Sequence, residues 1–226
     1  MQPQTAVVIG GTGFIGEHLL NELLNDAQFT HVRALVRRPA AAPHPKLEAV
    51  LVDFDNPDDL KEKIGTGDCL FCCVGTTQQK VKGNKVAYRR IDFDIPLHAA
   101  EVACSAGFHS FLLVSAVGAN SRSGNFYLKL KGEVEYAVEA TGMPCIHVFR
   151  PSMLMGGRNE FRLLEQVGKL LMYGLNCLLA GPLRQYKGIN GRKVAKAMVE
   201  ASKQEIEGVH IYAYDEMMKL AQGTPG

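Results

Sequence analysis

A tyrosine and a lysine four residues apart are the first pair in this sequence whose types and spacing could do chemistry. Tyr127 and Lys131 form the only Tyr-x-x-x-Lys in the chain. On a helix, residues four apart project from the same face. A phenol has an ordinary pKa near 10, and roughly 4 kcal/mol of preferential phenolate stabilisation would bring that pKa close to about 7. An ammonium group nearby, in a partly desolvated site, can supply much of this stabilisation.

Ser115 completes a candidate catalytic site with this pair. It follows a buried-strand pattern and precedes Tyr127 by twelve residues. Its hydroxyl could donate to a carbonyl oxygen as negative charge develops there, while Tyr127 acts as general acid in reduction and general base in oxidation. Each residue also has an ordinary structural interpretation, as a half-buried ring, a solvated amine and a turn serine. Their combination on a strand end and the next helix favours hydride-transfer chemistry.

A glycine-rich turn near the start of the chain predicts where a nucleotide binds. The turn follows an apolar run at residues 5–9 and opens an amphipathic pattern. Glycines three residues apart let the chain turn sharply, let the backbone approach a pyrophosphate and let the helix pack on the strand. Free amides at the helix start also attract phosphate. The residues expected to contact the cofactor here are Gly10, Thr12, Gly13, Phe14, Ile15 and Gly16.

Two arginines at the end of the second predicted strand indicate which dinucleotide binds. A carboxylate at this place would bond the adenosine ribose and repel a 2′-phosphate. The sequence has Arg37 and Arg38 instead, and guanidinium groups can pair with that phosphate. We therefore expect NADP(H) rather than NAD(H). A solvated surface pair is the alternative.

Two further strand ends are expected to complete the nucleotide site. Asp53 and Phe54 follow the third strand, where a polar side chain could reach the adenine amino group; a carboxylate in an acidic turn is the alternative. The segment after the fourth strand could bind the cofactor, because its glycine would let the backbone lie close to the nucleotide and its threonines could hydrogen-bond ribose or phosphate. An ordinary β-to-α turn is the alternative. That segment comprises Val74, Gly75, Thr76 and Thr77.

The motifs together resemble the short-chain dehydrogenase/reductase superfamily, in particular its atypical group with the Tat-interacting-protein oxidoreductase-like members. The segments that carry the resemblance are Gly10–Gly16, Cys72–Thr77, Val114–Ser115, Tyr127–Val134 and Phe149–Pro151. The resemblance implies an NADP-binding Rossmann domain with a triad of Ser115, Tyr127 and Lys131. It also implies that Lys131 binds the nicotinamide ribose and that Pro151 and Ser152 lie along the nicotinamide amide.

One departure from the superfamily bears on turnover. Many members add an asparagine, on the helix after the fourth strand, that organises a proton-relay water, whereas this sequence offers Asp92. A carboxylate can hold water, but its charge would alter the relay. Some relatives in the group are also described as regulatory. The alternative to an oxidoreductase acting on a small carbonyl or alcohol is therefore an NADP(H)-binding redox sensor with little or no turnover, acting through a protein partner. A sugar-nucleotide epimerase is a third and less favoured function, because such enzymes usually have a larger C-terminal substrate region than this chain.

The elements that must position these residues follow from the hydrophobic pattern. Continuous apolar runs, typical of strands buried on both faces of a parallel sheet, alternate with helical patterns. Strands are predicted at 6–9, 32–36, 49–52, 69–74, 110–114 and 145–149, and helices at about 14–26, 57–64, 87–106 and 126–141. Right-handed crossovers place the helices on both faces. We therefore predict an α/β fold with a doubly wound, mostly parallel Rossmann sheet.

The C-terminal third has a different pattern. Helices are predicted at 159–173 and 191–203, a loop at 174–188 and a strand at 208–214. We predict one domain over residues 1–226, with a dinucleotide-binding core at 1–155 and a small substrate-side lobe at 156–226. Two roles stay open for a set of C-terminal residues, either the wall of an apolar substrate pocket or ordinary core packing. The set comprises Leu154, Met155, Leu171, Met172 and Tyr173.

Charge and composition limit the other functions. With 25 Lys and Arg against 23 Asp and Glu, the formal net charge is +2, which gives no electrostatic case for general nucleic-acid or membrane binding. The six cysteines lie mostly in apolar runs and predict reduced core residues rather than a metal site. Because the first strand pattern runs directly into the glycine turn, we expect no leader and a cytoplasmic protein. The oligomeric state stays open.

Overall fold

Nine strands are present in the computed structural model, which describes residues 3–38, 43–155, 181–204 and 206–223. They are β1 (Gln4–Ile9), β2 (Phe29–Val36), β3 (Leu47–Leu51), β4 (Cys69–Cys72), β5 (Ser110–Val114), β6 (Cys145–Phe149), β7 (Leu154–Met155), β8 (Ile189–Asn190) and β9 (Gly208–Tyr212). Seven form one sheet in the order β3-β2-β1-β4-β5-β6-β9, with every neighbouring pair parallel. β7 and β8 pair separately. The predicted Rossmann sheet is confirmed.

Helices cover both faces of this sheet. They are α1 (Phe14–Asn25), α2 (Pro57–Lys63), α3 (Lys85–Arg89), α4 (Ile95–Ser105), α5 (Phe126–Glu139), α6 (Gly191–Ser202) and α7 (Tyr214–Gln222). A π-helical turn at Arg90–Asp94 joins α3 to α4, and a 3-10 turn spans Gly181–Tyr186. Among the described helices, none is long and apolar enough to cross a membrane.

The central strands are buried on both faces, as their unbroken apolar sequences predict. Val8 and Phe71 belong to a core shared with α1, α6 and α7, whereas Val7 and Leu70 belong to the opposite core under α2, α4 and α5. Neighbouring residues of a strand point to opposite faces, so each central strand contributes to both cores.

The long helix predicted at 87–106 is interrupted. Its middle is the π-helical turn, and α4 restarts at Ile95 with Pro96 in its first turn. Proline lacks an amide hydrogen and its ring clashes with the carbonyl four residues earlier, here that of Asp92. Such widened turns occur frequently at functional sites. This turn carries Asp92, which is buried.

The end of the chain contributes to the sheet and to its helical layers. The predicted strand at 208–214 is β9, parallel to β6, and the predicted helix at 191–203 is α6, which packs on α1 in the same core cluster. These elements were predicted to form a substrate-side lobe; parallel pairing with β6 places them in the Rossmann layers instead. The predicted helix at 159–173, with Leu171, Met172 and Tyr173, lies outside the described residues, so that part stays a prediction.

Candidate functional site

The turn between β1 and α1 is closed by backbone contacts that leave no room for side chains. Gly10 has a φ of 82°, and a Cβ there would lie 2.7 Å from the carbonyl carbon of Cys73 and 2.8 Å from the nitrogen of Val74. A Cβ on Gly16 would collide with the carbonyl oxygen of Gly10. The Gly13 amide donates to that same oxygen at 3.0 Å. These glycines therefore bring β1, α1 and the end of β4 together.

A cleft of about 700 Å³ opens at the carboxyl ends of β1, β2 and β4. Ligands of open α/β sheets bind at such an edge. The predicted cofactor residues that line it are Gly10, Thr12, Gly13, Arg37, Arg38, Phe54, Val74 and Gly75. The sequence did not single out Gly11, Leu35, Val36, Cys73, Lys80, Ile91 and Ile95, which also line it.

The cations of this cleft suit a phosphorylated nucleotide. Arg37 and Arg38 are exposed in its wall, and neither forms an ion pair within the described part of the chain. Lys80 contributes a third cation from the segment after β4. Glycine backbone at the start of α1 and cations elsewhere in one cleft are what a dinucleotide phosphate requires. The residues present fit an NAD(P) cofactor.

Three predicted cofactor residues have other structural contacts. Ile15 is buried in the core beside α6. The ring of Phe14 lies against His18 and against Gly191, where an added Cβ would be 2.6 Å from the ring. Asp53 is exposed, and its carboxylate accepts from the Asp55 amide at 3.0 Å. The Asp53 side chain is used within its own turn, and a phosphate contact by the backbone at the start of α1 stays a prediction.

The segment after β4 connects the cleft to the predicted catalytic residues. The Thr76 amide donates to Oδ2 of Asp92 at 2.8 Å, and the Tyr88 hydroxyl donates to the Thr76 carbonyl at 3.0 Å. The Thr77 hydroxyl accepts from the Lys80 amide at 3.4 Å. Side chains from α3 and the π-helical turn therefore fix the loop that carries Gly75.

Helix α5 presents the tyrosine and the lysine. Asn125 caps the helix, accepting from the amides of Tyr127 at 2.9 Å and Leu128 at 3.1 Å. One turn further along, Lys131 Nζ lies 3.0 Å from Asp92 Oδ1, and the two side chains are only 4% and 1% exposed. The ion pair therefore lies in the protein interior, beside the half-buried Tyr127.

Burial and this ion pair set the protonation of the three groups. Burial disfavours the Lys131 ammonium, but Asp92, with smaller contributions from Tyr127 and Cys72, outweighs that effect and the pKa of Lys131 is raised. Burial also raises the pKa of Asp92, against the opposing effect of Lys131. The pKa of Tyr127 is raised by burial and by Asp92, with Lys131 opposing. The sequence predicted that Lys131 would lower the pKa of Tyr127. Lys131 does act in that direction, but burial outweighs it, and the Asp92 carboxylate, which a helical Tyr–Lys spacing does not reveal, adds to the rise.

Ser115 is bonded to a residue that the sequence did not single out. Its hydroxyl donates to Oε1 of Glu135, and Arg150 binds the same carboxylate, with Nη2 2.5 Å from Oε2 and Nε 3.1 Å from Oε1. No hydrogen bond between Ser115 and Tyr127 occurs among the described residues. A signal was available, because Tyr127, Lys131 and Glu135 are each four residues apart and share one helix face.

The segment after β6 is tied into the protein. The Pro151 carbonyl accepts from the Val117 amide at 3.0 Å, and the Ser152 hydroxyl donates to the Lys187 carbonyl. These bonds hold the segment in place without pointing to a ligand. Its predicted position along the nicotinamide amide stays a prediction.

The part of the chain that the structure describes provides no site for metal binding or for thiol chemistry. No group of three or more His, Cys, Asp or Glu side chains is placed there to hold a metal ion. The described cysteines are free, and burial raises the pKa of Cys72 to about 11. A thiol in that state is a poor nucleophile at neutral pH.

Comparisons with known proteins identify the family to which the chain is similar. The family model described as NAD(P)H-binding matches residues 10–169. Protein HTATIP2 of Rattus norvegicus is 34% identical over 165 residues, covering 72% of this chain and 67% of the relative. The protein FMP52, mitochondrial, of Candida glabrata is 33% identical over 212 residues, covering 92% and 88%. A UDP-N-acetylglucosamine 4-epimerase from Methanobrevibacter ruminantium superposes with a TM-score of 0.67 at 16% identity, covering 94% of this chain and 77% of that one.

The relatives contradict the predicted cytoplasmic location. Several FMP52 proteins that match this chain at 28–33% identity are named mitochondrial. The prediction rested on where the first strand begins, and that feature does not determine the compartment. The cytoplasmic prediction is wrong.

The similarity to the epimerase supports the fold alone. The family model and the HTATIP2 match each cover most of the chain, and the range of the family model includes the glycine turn and α5. The predicted resemblance to the atypical short-chain dehydrogenase/reductases is thereby confirmed. The chain belongs to the NAD(P)H-binding family of Rossmann-fold proteins.

Proposed function

We propose that the protein is an NADP(H)-dependent oxidoreductase that transfers hydride to or from a small carbonyl or alcohol substrate. One observation carries the proposal: Asp92 binds both Lys131 and the Thr76 amide. The loop beside the nucleotide cleft and the helix with Tyr127 are therefore joined by a single buried carboxylate. The residues that line the cleft do not include Tyr127, so the proposal requires the nicotinamide end of the nucleotide to extend past the Gly75 loop to the phenol.

The residues of α5 have distinct roles in the proposed reduction. When bound, a reduced nicotinamide would supply the hydride that adds to the carbonyl carbon as the C=O π bond breaks. Tyr127 donates its phenolic proton to the carbonyl oxygen, so the product is an alcohol, and solvent reprotonates the phenolate. Lys131, held as an ammonium by Asp92, fixes the carboxylate that joins α5 to the loop beside the cleft.

Ser115 is proposed to orient the carbonyl, and its bond to Glu135 limits that role. A serine hydroxyl has one hydrogen to donate, and here it goes to the Glu135 carboxylate. The hydroxyl would have to rotate away from a charged acceptor before it could donate to a substrate. We therefore assign proton donation to Tyr127 and only a secondary contribution to Ser115.

The preference for NADP(H) is supported by the cations of the cleft. Arg37 and Arg38 follow β2, where the adenosine ribose of a dinucleotide lies in this fold. A guanidinium can bind a 2′-phosphate with two hydrogen bonds. No described acid competes for either guanidinium.

The central experiment measures NADPH oxidation by purified protein over a panel of aldehydes and ketones. Tyr127→Phe removes the proton donor and should reduce kcat/KM by at least about 100-fold. Tyr136→Phe is the matched control, because Tyr136 is on the same helix but 72% exposed. Equal rates for wild type and Tyr127→Phe, with both proteins folded, would exclude Tyr127 as the proton donor.

A second function is favoured by the Ser115–Glu135 bond: an NADP(H)-binding sensor with little or no turnover. A site whose serine is bonded to a carboxylate can still hold a nucleotide. This function predicts saturable NADPH binding by calorimetry, no steady-state rate on the panel, and partner association that depends on the cofactor. A robust rate on any carbonyl would exclude it.

A further inference from the structure

The ion pair between Asp92 and Lys131 is formally neutral, and the proposed reaction does not by itself require a neutral pair beside Tyr127. A lysine beside a tyrosine would ordinarily stabilise the phenolate. Here the ammonium lies 3.0 Å from a carboxylate that is itself buried. The pair is formally neutral, so the phenol faces a neutral pair and not a free cation.

Within the described part of the chain, few other charged groups act on the Tyr127 phenol. From α3, the Tyr88 ring packs edge-on against the Tyr127 ring, with 6.3 Å between the centroids. The exposed Lys85, also on α3, lies over the Phe126 ring at 5.3 Å from its centroid. From β4, the buried Cys72 thiol is close enough to interact electrostatically with Lys131 and Asp92, and it stays protonated at neutral pH.

We propose that Asp92 is a positioning residue that keeps Tyr127 protonated by neutralising Lys131, so that the site is built for carbonyl reduction at neutral pH and oxidises alcohols efficiently only under alkaline conditions. The inference deepens the proposed function and rests on it for the direction of turnover. The protonation of Tyr127 can be measured whether or not the protein turns over.

Net charge gives the physical reason. With Asp92 present, loss of the phenolic proton changes the buried group from neutral to a net charge of −1. With asparagine at 92, the same loss converts a group of net charge +1 into a neutral tyrosinate–ammonium pair. In a site screened from water, the second change is much easier than the first. Burial is the main cause of the raised pKa of Tyr127; Lys131 opposes the rise, and Asp92 adds a smaller contribution in the direction that this argument requires.

The substitution Asp92→Asn separates charge from shape. An asparagine oxygen can still accept the Thr76 amide, which lies 2.8 Å from Oδ2. The substitution can therefore preserve the bond to the cleft loop while it removes the negative charge and the acceptor that faces Lys131. NADPH affinity should stay within about threefold of wild type, whereas the protonation of Tyr127 should change.

The test is a spectrophotometric titration of tyrosinate in the full-length protein without cofactor. Subtracting the titration of the corresponding Tyr127→Phe protein isolates the signal of Tyr127. In Asp92→Asn, the midpoint of that signal should fall by about one pH unit or more relative to wild type. Asp94→Asn, two residues further along the same helical segment, is the control and should leave the midpoint in place.

A double variant keeps the inference testable if Asp92→Asn does not fold. Asp92→Asn/Lys131→Met removes both charges, and replacing a buried ion pair by neutral groups is often tolerated. If the carboxylate cancels the ammonium, the Tyr127 midpoint of this variant lies within about half a pH unit of wild type. A midpoint well above wild type would mean that Lys131 acts on the phenol without being neutralised, and would overturn the inference.

Turnover supplies an independent readout. For wild type, the rate of alcohol oxidation should rise with pH up to an alkaline limb, and Asp92→Asn should move that limb toward neutral pH in step with the spectral midpoint. An unchanged spectral midpoint in Asp92→Asn would overturn the inference and leave the reductase proposal standing. Absence of turnover in every variant, with the spectral shift present, would overturn the reductase proposal alone.

Discussion

The hydroxyl of Ser115 donates its hydrogen bond to Glu135, two helical turns beyond Tyr127 on the same face of α5. Arg150 binds both oxygens of that carboxylate. The three residues form a partly buried polar network at the carboxyl ends of β5 and β6. The hydroxyl expected to orient a substrate is therefore part of the scaffold that joins α5 to the sheet.

This arrangement predicts unequal effects of two conservative substitutions. Ser115→Ala should reduce kcat/KM by less than about 10-fold, because the lost donor was bonded to Glu135 and not free for a carbonyl. Tyr127→Phe should reduce it by at least about 100-fold. Steady-state kinetics with NADPH and one accepted carbonyl measures both. Equal large losses would show that Ser115 leaves Glu135 and contacts the substrate during turnover.

A second prediction concerns the glycine turn. Gly10→Ala should reduce the free energy of unfolding by at least about 2 kcal/mol more than Gly107→Ala. Both residues have a φ near 80°, but an added Cβ meets the Cys73–Val74 backbone only at Gly10 and finds nothing within 4 Å at Gly107. Urea unfolding compares the two variants. Equal destabilisation would mean that the φ penalty, and not close packing, makes glycine necessary at residue 10.

Nucleotide selection gives a third prediction. Arg37→Ala/Arg38→Ala should weaken NADPH binding by about 10- to 100-fold, the loss expected for charge-assisted bonds to one phosphate, and should leave NADH binding within about threefold. Calorimetric titration with each nucleotide measures the difference. Arg122→Ala, an exposed arginine outside the cleft lining, is the control. If both nucleotides lose affinity equally, the arginines contact a part that the two share.

Acid stability gives a fourth prediction. His147 is fully buried between Cys145 and Tyr212, with Nδ1 2.9 Å from the Tyr212 hydroxyl. Burial, with smaller contributions from His210 and His109, lowers the pKa of His147 to about 4. The unfolded chain binds a proton at about pH 6.5, so stability should fall as the pH drops from about 6.5 to about 4, by roughly 3 kcal/mol from this residue.

Unfolding by urea at about pH 7 and at about pH 4 measures that loss. His147→Gln should show a smaller difference between the two pH values than wild type, since glutamine does not titrate. His44→Gln, at an exposed histidine, should retain the wild-type difference. An undiminished difference in His147→Gln would assign the acid sensitivity to other groups.

Much of the fold could be predicted from the order of residues. β5 and β6 begin and end at the predicted residues, and α1 and α5 begin at theirs. Continuous apolar runs must be buried on both faces, and that requirement predicts a parallel sheet with helices on both sides. The interruption at Arg90–Asp94 was not predicted, because the helical pattern continues through it.

By itself the sequence determined the Rossmann fold, the glycine turn and the helix that presents Tyr127 and Lys131, because each depends on local spacing and on the strand–turn–helix order. Tertiary structure decided which partners these side chains meet. Asp92 lies 39 residues before Lys131, and Glu135 lies 20 residues after Ser115. Such pairs form only when the π-helical turn and the strand ends converge on one face of α5. Because that face is buried, the interactions between these charged groups are strong enough to determine which groups carry protons.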